Sequence, residues 1–263
     1  MRSMDWDARS YHTVSDPQFG WGLRVLERLE LAGGEEVLDA GCGSGRLTAR
    51  LAERLPRGRV VGLDLSQDML RTARAALAAA NAGNVVLVRG DVARLPFVAA
   101  FDAIFSTATF HWVLDHDALF GSIFAALRPG GRLLAQCGGG PNIARARARA
   151  AKLMAAPEFV AWFVDWRSPW HYATPEETAA RLRAAGFEQV ETGLEEAPAT
   201  FPDGVAYEAF TSTVILRPYL ARLPDDATRR AFTRRFAELA AADDRPFTLD
   251  YWRLNISAHR PRA

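Results

Sequence analysis

The chain of 263 residues carries 32 basic and 31 acidic side chains, a formal net charge of +1, with 49% hydrophobic and 24% charged residues. These values fit a soluble globular protein of one large domain, or two at most, and leave no global charge to draw it to nucleic acid or to an anionic membrane. Two cysteines, Cys42 and Cys137, make neither a disulfide framework nor a zinc site, no apolar h-region precedes Tyr11, and no run of about 18 apolar residues occurs, so a cytoplasmic location is expected.

Asp16-Pro17 reads as the start of a helix whose Trp21, Val25, Leu26 and Leu29 share one face. From there the pattern alternates. Strands are expected over 35–40, 59–64, 85–89, 101–106 and 132–137, the last entered through the turn Arg128-Pro129-Gly130-Gly131. Helices are expected over 44–55, from Ser66 toward Asn81, and over 115–127. Short apolar strands alternating with amphipathic helices imply a mostly parallel sheet covered on both faces.

The remaining stretch reads differently. Residues 141–172 are polar and aromatic, with Trp162, Trp166, Trp170, His171 and Tyr172 as a candidate substrate wall or packed core. Arg145, Arg147 and Arg149 are expected on a solvated helix surface, because at about 100° per residue Arg147 points away from the other two. Thr174-Pro175-Glu176-Glu177 is a capping box opening a helix that ends at Gly186, and a strand over 187–192 follows. Residues 203–242 read as two helices, and 249–258 alternate as a closing strand.

The chemistry concentrates in VLDAGCGSGRLT, residues 37–48. A buried strand runs through Gly41, Gly43 and Gly45 straight into a helix, where the backbone must turn sharply and approach a ligand closely. The helix N-terminus then offers free N–H groups to a carboxylate. Asp64 ends the second strand, where an acid can accept ribose hydroxyls, and Asp91 follows the third, placed to accept from an adenine amino group or simply to form a turn. The rival ligand, NAD, calls for G-x-G-x-x-G, whereas these glycines give G-x-G-x-G.

With VVGLDLSQDML, VRGDVARLPF, FDAIFSTATFHWVLDH and LRPGGRLL following in order, the chain resembles the class I S-adenosylmethionine (SAM)-dependent methyltransferases over residues 35–137. The resemblance implies a Rossmann-like α/β fold, a seven-stranded mostly parallel sheet whose last strand is antiparallel, with helices on both faces and a helical insertion before that strand. It implies SAM as cofactor and S-adenosylhomocysteine as product. Gly41, Cys42, Gly43 and Gly45 would line the methionine end, with Asp39 near the amino group and Thr107 facing the same portion. Asp64 would hold the ribose, Leu65 and Met69 would flank the adenine, and Asp91 with the Val92 backbone would meet its edge. The expected organisation is one domain over 1–263, with cap helices over 1–34, a SAM-binding core over 35–140 and substrate-lid segments over 141–172 and 203–242.

The acceptor is less legible. Thr107-Ala108-Thr109-Phe110 stands where enzymes methylating bases carry an Asn/Asp-Pro-Pro-aromatic tetrad, so a small molecule rather than nucleic acid is expected. His-Trp at 111–112 and the Asp115-His116-Asp117 helix start resemble the trans-aconitate methyltransferase-like branch of the ubiquinone/menaquinone-type group. O-methylation of a carboxylic acid is the leading expectation, with C-, N- or phenolic O-methylation, or SAM binding without turnover, as alternatives. His111 could be a general base, orient substrate, or be structural. Tyr11, His12, Trp112, Arg167 and Arg217 are the candidate substrate contacts, the two arginines as carboxylate clamps.

Overall fold

A computed structural model describes residues 16–262 of the chain, so Tyr11 and His12 lie outside the described residues. The chain divides into two compact units. The first takes residues up to Gly140, Trp170–Glu195 and residues from Arg253 on; the second takes Pro141–Pro169 and Glu196–Trp252.

The first unit is a seven-stranded sheet built from β1 (Glu36–Ala40), β2 (Arg59–Asp64), β3 (Val85–Arg89), β4 (Phe101–Thr107), β5 (Leu127–Gly138), β6 (Glu188–Glu196) and β9 (Trp252–His259). Their order is β3-β2-β1-β4-β5-β9-β6. The pairs from β3 to β5 are parallel, and β9 runs antiparallel to β5. Successive strand residues point to opposite faces, and the sequence is apolar at both. Val37, Ala103, Phe105 and Leu134 pack on α1 (Asp16–Glu27) and α2 (Arg46–Glu53) through Val25, Leu26, Leu29 and Leu51. Leu38, Ile104, Leu133 and Ala135 face the other way, onto α4 (His116–Ala126) and α6 (Pro175–Ala184) through Leu119, Phe120, Ile123 and Leu182. Each fully buried aliphatic side chain contributes about 1.5–3 kcal/mol relative to an exposed one. α3 (Gln67–Ala79) is capped by Ser66, which accepts from the Met69 N–H. Thr174 and Glu177 close the capping box reciprocally, and Gly186 turns the chain at φ +102°.

Several boundaries move for local reasons. α2 begins at Arg46 rather than Ser44, because Gly45 is still in the left-handed region at φ +80°. β5 starts at Leu127, opposite Phe101; its next partnership is Arg132 with Ala103, so residues 128–131 loop out of the register. The expected closing strand breaks in two. Thr248–Leu249 (β8) pairs with Ala199–Thr200 (β7) in the second unit, and Asp250 interrupts the ladder by accepting the Ile143 and Arg145 N–H groups through its carbonyl and carboxylate.

The second unit also holds α5 (Ala144–Met154), α7 (Gly204–Val214), α8 (Arg217–Leu220) and α9 (Asp226–Ala241). Its core is aromatic: Phe159 meets Phe232 edge-on at 5.1 Å, Phe201 meets Phe210 at 4.8 Å, and Tyr207 stacks on Phe236 at 6.0 Å. The solvated surface expected for Arg145, Arg147 and Arg149 is overturned. Arg149 is buried, donates to the Tyr207 hydroxyl at 2.7 Å and pairs with Asp243; Arg145 pairs with Asp243 and Asp244; and the Arg147 charge acts on Tyr219. Helical periodicity correctly sets Arg147 apart from Arg145 and Arg149, which share Asp243, but the partners come from residues far along the chain.

Candidate active site

The glycine turn hangs from β2. The N–H groups of Gly41 and Cys42 both donate to the Leu63 carbonyl, at 2.8 and 2.9 Å, which folds the chain back across the end of that strand. At Gly41, φ is +85° and a Cβ would stand 2.1 Å from Thr109 Oγ1, so only glycine fits. At Gly43, φ is +53° and no atom of the described residues lies within 4 Å of the Cβ position. Among the described residues, the turn therefore presents bare backbone with open space at Gly43, which suits a ligand in van der Waals contact.

Two acids flank this cradle. Asp39, 2% exposed, accepts from Thr48 Oγ1 at 2.7 Å. Burial pushes its pKa up to about 7, with the Asp64 charge adding to the shift. Asp64 accepts from the N–H groups of Gly43 (2.9 Å) and Ser66 (2.8 Å), and burial raises its pKa as well. Cys42 is buried between them, and burial holds its thiol well above the usual range, so it packs rather than reacts. Beside Asp64, Leu65 is 45% exposed, an apolar surface next to a polar cradle, while Met69 is buried in the first turn of α3. Asp91 is exposed and caps the short turn Val92–Arg94 by accepting from the Ala93 N–H; Val92 is buried.

The end of β4 is tied to the same turn. Ser106 Oγ donates to the Ala40 carbonyl at 2.6 Å, and Thr107 is half-buried. Ala108 takes φ +54°, costly for a residue with a Cβ, and its N–H donates to the Gln136 carbonyl. Thr109 Oγ1 donates to the Thr107 carbonyl (2.9 Å) and reaches the Gly41 carbonyl (3.3 Å). Thr109 thus fixes the spacing between the glycine turn and the segment that follows β4. Sequence reasoning passed over it, since nothing in Thr-Ala-Thr marks which threonine faces Gly41.

His111 is next, 9% exposed. Its Nδ1 lies 3.2 Å from the Gly138 N–H, which can only donate, so Nδ1 accepts and the ring proton sits on Nε2. Burial holds the imidazole neutral, with pKa lowered to about 3; the charges of Arg253 and His116 act in the same direction. At pH 7 the ring is therefore neutral, with its proton on Nε2. Tyr172 stacks on it at 5.6 Å, Trp112 lies at 5.5 Å and itself meets Trp170, and His171 donates its backbone N–H to the His111 carbonyl. The aromatic segment therefore divides: Trp170, His171 and Tyr172 join the first unit, and Trp166 stacks on Tyr219 in the second. Arg167 is exposed and Arg217 half-buried, both in the second unit.

Residues 37–131 match a methyltransferase domain family. A trans-aconitate 2-methyltransferase of Azoarcus is 31% identical over 233 residues, 84% of each chain. The chain belongs to the SAM-dependent methyltransferases. A second trans-aconitate 2-methyltransferase, from Deinococcus radiodurans, is 29% identical to this methyltransferase, spanning 86% of it and 87% of the relative. Its fold is also that of phosphoethanolamine N-methyltransferase 2 of Haemonchus contortus, solved with phosphomonomethylethanolamine and S-adenosylhomocysteine: TM-score 0.63, 19% identity, 97% of this chain and 57% of that one. SAM is its cofactor, and the glycine cradle, flanked by the buried Asp39 and the half-buried Asp64, fits that group. Among the described residues, no cluster could hold a metal and no helix is long and apolar enough to cross a membrane.

Proposed function

We propose that this methyltransferase transfers a methyl group to a carboxylate oxygen of a small acid. The observation that carries the reading is the state of His111: Nδ1 is occupied by the Gly138 N–H and the ring is neutral, so the turn after β4 offers a hydrogen-bond donor rather than a proton acceptor. A carboxylate is already ionised at pH 7 and needs no base, whereas a phenol or amine benefits from one. The names of the two bacterial relatives, whose substrate is a tricarboxylic acid, support the same class.

Within this reading, Asp39 and the turn Gly41-Cys42-Gly43-Gly45 hold the methionine end, with Thr107 facing it. Asp64 takes the ribose, Leu65 and Met69 flank the adenine, and Asp91 with the Val92 backbone meets its edge. The open Cβ position at Gly43 and the exposed Leu65 beside Asp64 support these assignments. When bound, SAM supplies a sulfonium-activated methyl group, and its passage to a carboxylate oxygen breaks the C–S bond, forms the ester C–O bond and leaves the electron pair on sulfur with no proton to remove. The chain's own work is alignment: Thr109 fixes the turn after β4 against Gly41, and His111 directs its Nε2–H at the acceptor.

The test is turnover on a panel of mono-, di- and tricarboxylates, phenols and amines, with product identified as ester, ether or methylamine. Methyl esters are expected, and His111→Ala should lower kcat by less than about tenfold, since only an orienting hydrogen bond is lost. A loss of about 10²–10⁴-fold, with phenols or amines as the working acceptors, would instead identify a base and sink the carboxylate reading.

A further inference from the structure

The short turn that carries His111, Phe110–Trp112, is held from outside by two other histidines. His116, 3% exposed at the first position of α4, has its Nε2 3.1 Å from the Phe110 carbonyl. The half-buried His171 donates its backbone N–H to the His111 carbonyl at 2.9 Å, and its Nδ1 lies 3.3 Å from the Leu114 carbonyl. A carbonyl oxygen only accepts, so each of these ring nitrogens carries a proton, Nε2 in His116 and Nδ1 in His171. The two imidazoles stack on one another, with centroids 4.2 Å apart and planes inclined by 22°. The segment of His171 is itself tied to the end of β5, where the Gly140 N–H donates to the Ala173 carbonyl at 2.9 Å.

These contacts do more than fill space, which an apolar ring would do without losing its hydration. Burial holds His116 neutral, its pKa lowered to about 4, with His171 and Arg181 acting in the same direction. Its Nδ1 is buried without a partner among the described residues, so all the hydrogen bonding of this ring goes to the Phe110 carbonyl. The carbonyls of Phe110 and His111 belong to the two peptide units on either side of the His111 Cα. Each unit is planar and rigid, so donors on both carbonyls fix the direction in which the His111 side chain leaves the backbone. The His171 ring serves the second contact: its bond to Leu114 and its stack on His116 hold the backbone N–H that reaches His111.

We propose that His116 and His171 are positioning residues for methyl transfer, which aim the His111 side chain by clamping the two peptide planes that flank it. This rests on the reading above in which His111 meets the acceptor.

The experiment uses the full chain and the acceptor panel above, measuring kcat and KM, with S-adenosylhomocysteine affinity by calorimetry. The amide nitrogen of glutamine reaches about as far as a histidine Nε2, and that of asparagine about as far as Nδ1, so the replacement that restores each bond differs. His116→Ala and His171→Ala should each lower kcat about three- to tenfold, with cofactor affinity unchanged within about twofold. His116→Gln and His171→Asn should recover most of that loss, whereas His116→Asn and His171→Gln should not. Added to His111→Ala, neither alanine change should lower kcat further, because the side chain being aimed is gone. A merely structural pair would lose the same activity in both amides and add its loss to that of His111→Ala. Unchanged kcat in both alanine variants, or equal loss in the matched and mismatched amides, overturns the positioning role and leaves the reading of His111 standing. His111→Ala without effect on turnover overturns that reading and the positioning with it. Nitrogen-15 spectra of the parent chain at about pH 8 need no acceptor: His116 should carry its proton on Nε2 and His171 on Nδ1, and the opposite tautomer at either ring overturns the proposal. Should His116→Ala fail to fold, the contrast between His171→Asn and His171→Gln decides alone.

Discussion

Asp39 sits where two requirements of the cofactor loop conflict, because the acid proposed to meet a cationic amino group must wait for it in the interior. Its pKa, raised by burial from 3.8 to about 7, means that its contribution to stability is complete below about pH 4 and is lost as pH rises through about 7. A cation beside it favours the carboxylate, so SAM binding should expel a proton in mild acid. Affinity should fall by up to about tenfold per pH unit below that pKa, with proton release visible by calorimetry in buffers of different ionisation enthalpy. Asp39→Asn should flatten the profile, weaken binding at about pH 8 and raise the melting temperature of the cofactor-free protein there. Affinity independent of pH in the parent chain would remove Asp39 from the amino group. The residues themselves were legible to different depths. Gly41 and Asp64 stand out in sequence because strand ends and glycine spacing are local, whereas Thr109 acts through a partner 68 positions away and carries no local mark.

Elements were read best where capping chemistry or apolar runs decide them. Ser66 before α3, the box at Thr174 and Glu177, and the strands of 59–64 and 85–89 stand where the sequence places them. The misses fall where tertiary hydrogen bonds intervene, as when Asp250 takes two N–H groups from the start of α5 and splits the expected closing strand. α5 makes the same point energetically. Arg149 faces Tyr207 and Asp243, so Arg149→Met leaves the phenol without its donor and the carboxylate with Arg145 alone. Since the Asp243 side chain keeps 24% exposure and its pairing with Arg145, a loss of about 2–3 kcal/mol is expected, at or just below the lower end for breaking a buried pair. Urea denaturation checks it, and Asp243→Leu added to Arg149→Met should recover part of the loss. A loss below about 0.5 kcal/mol would return Arg149 to the solvated surface first expected for it.

At the scale of the whole molecule, the sheet order decides what can be removed. β9 lies between β5 and β6, so a chain ending before Trp252 exposes the edge of β5 and leaves β6 without its neighbour. Such a truncation is expected to lose cooperative unfolding and near-ultraviolet circular dichroism, even though every residue of the glycine turn and both acids remain; a cooperative transition in it would show that the parallel half of the sheet folds alone. The same strand order has a consequence for biosynthesis. Roughly a hundred residues lie between Gly138 and Trp252, so at ~5–20 residues per second a ribosome takes on the order of 10 s to deliver the strand that covers β5. Throughout that interval the nascent chain displays an apolar, unpaired edge, the feature that recruits other strands. The period of greatest aggregation risk for this enzyme is therefore set by translation speed, and slowing elongation between β5 and β9 lengthens its dependence on chaperones.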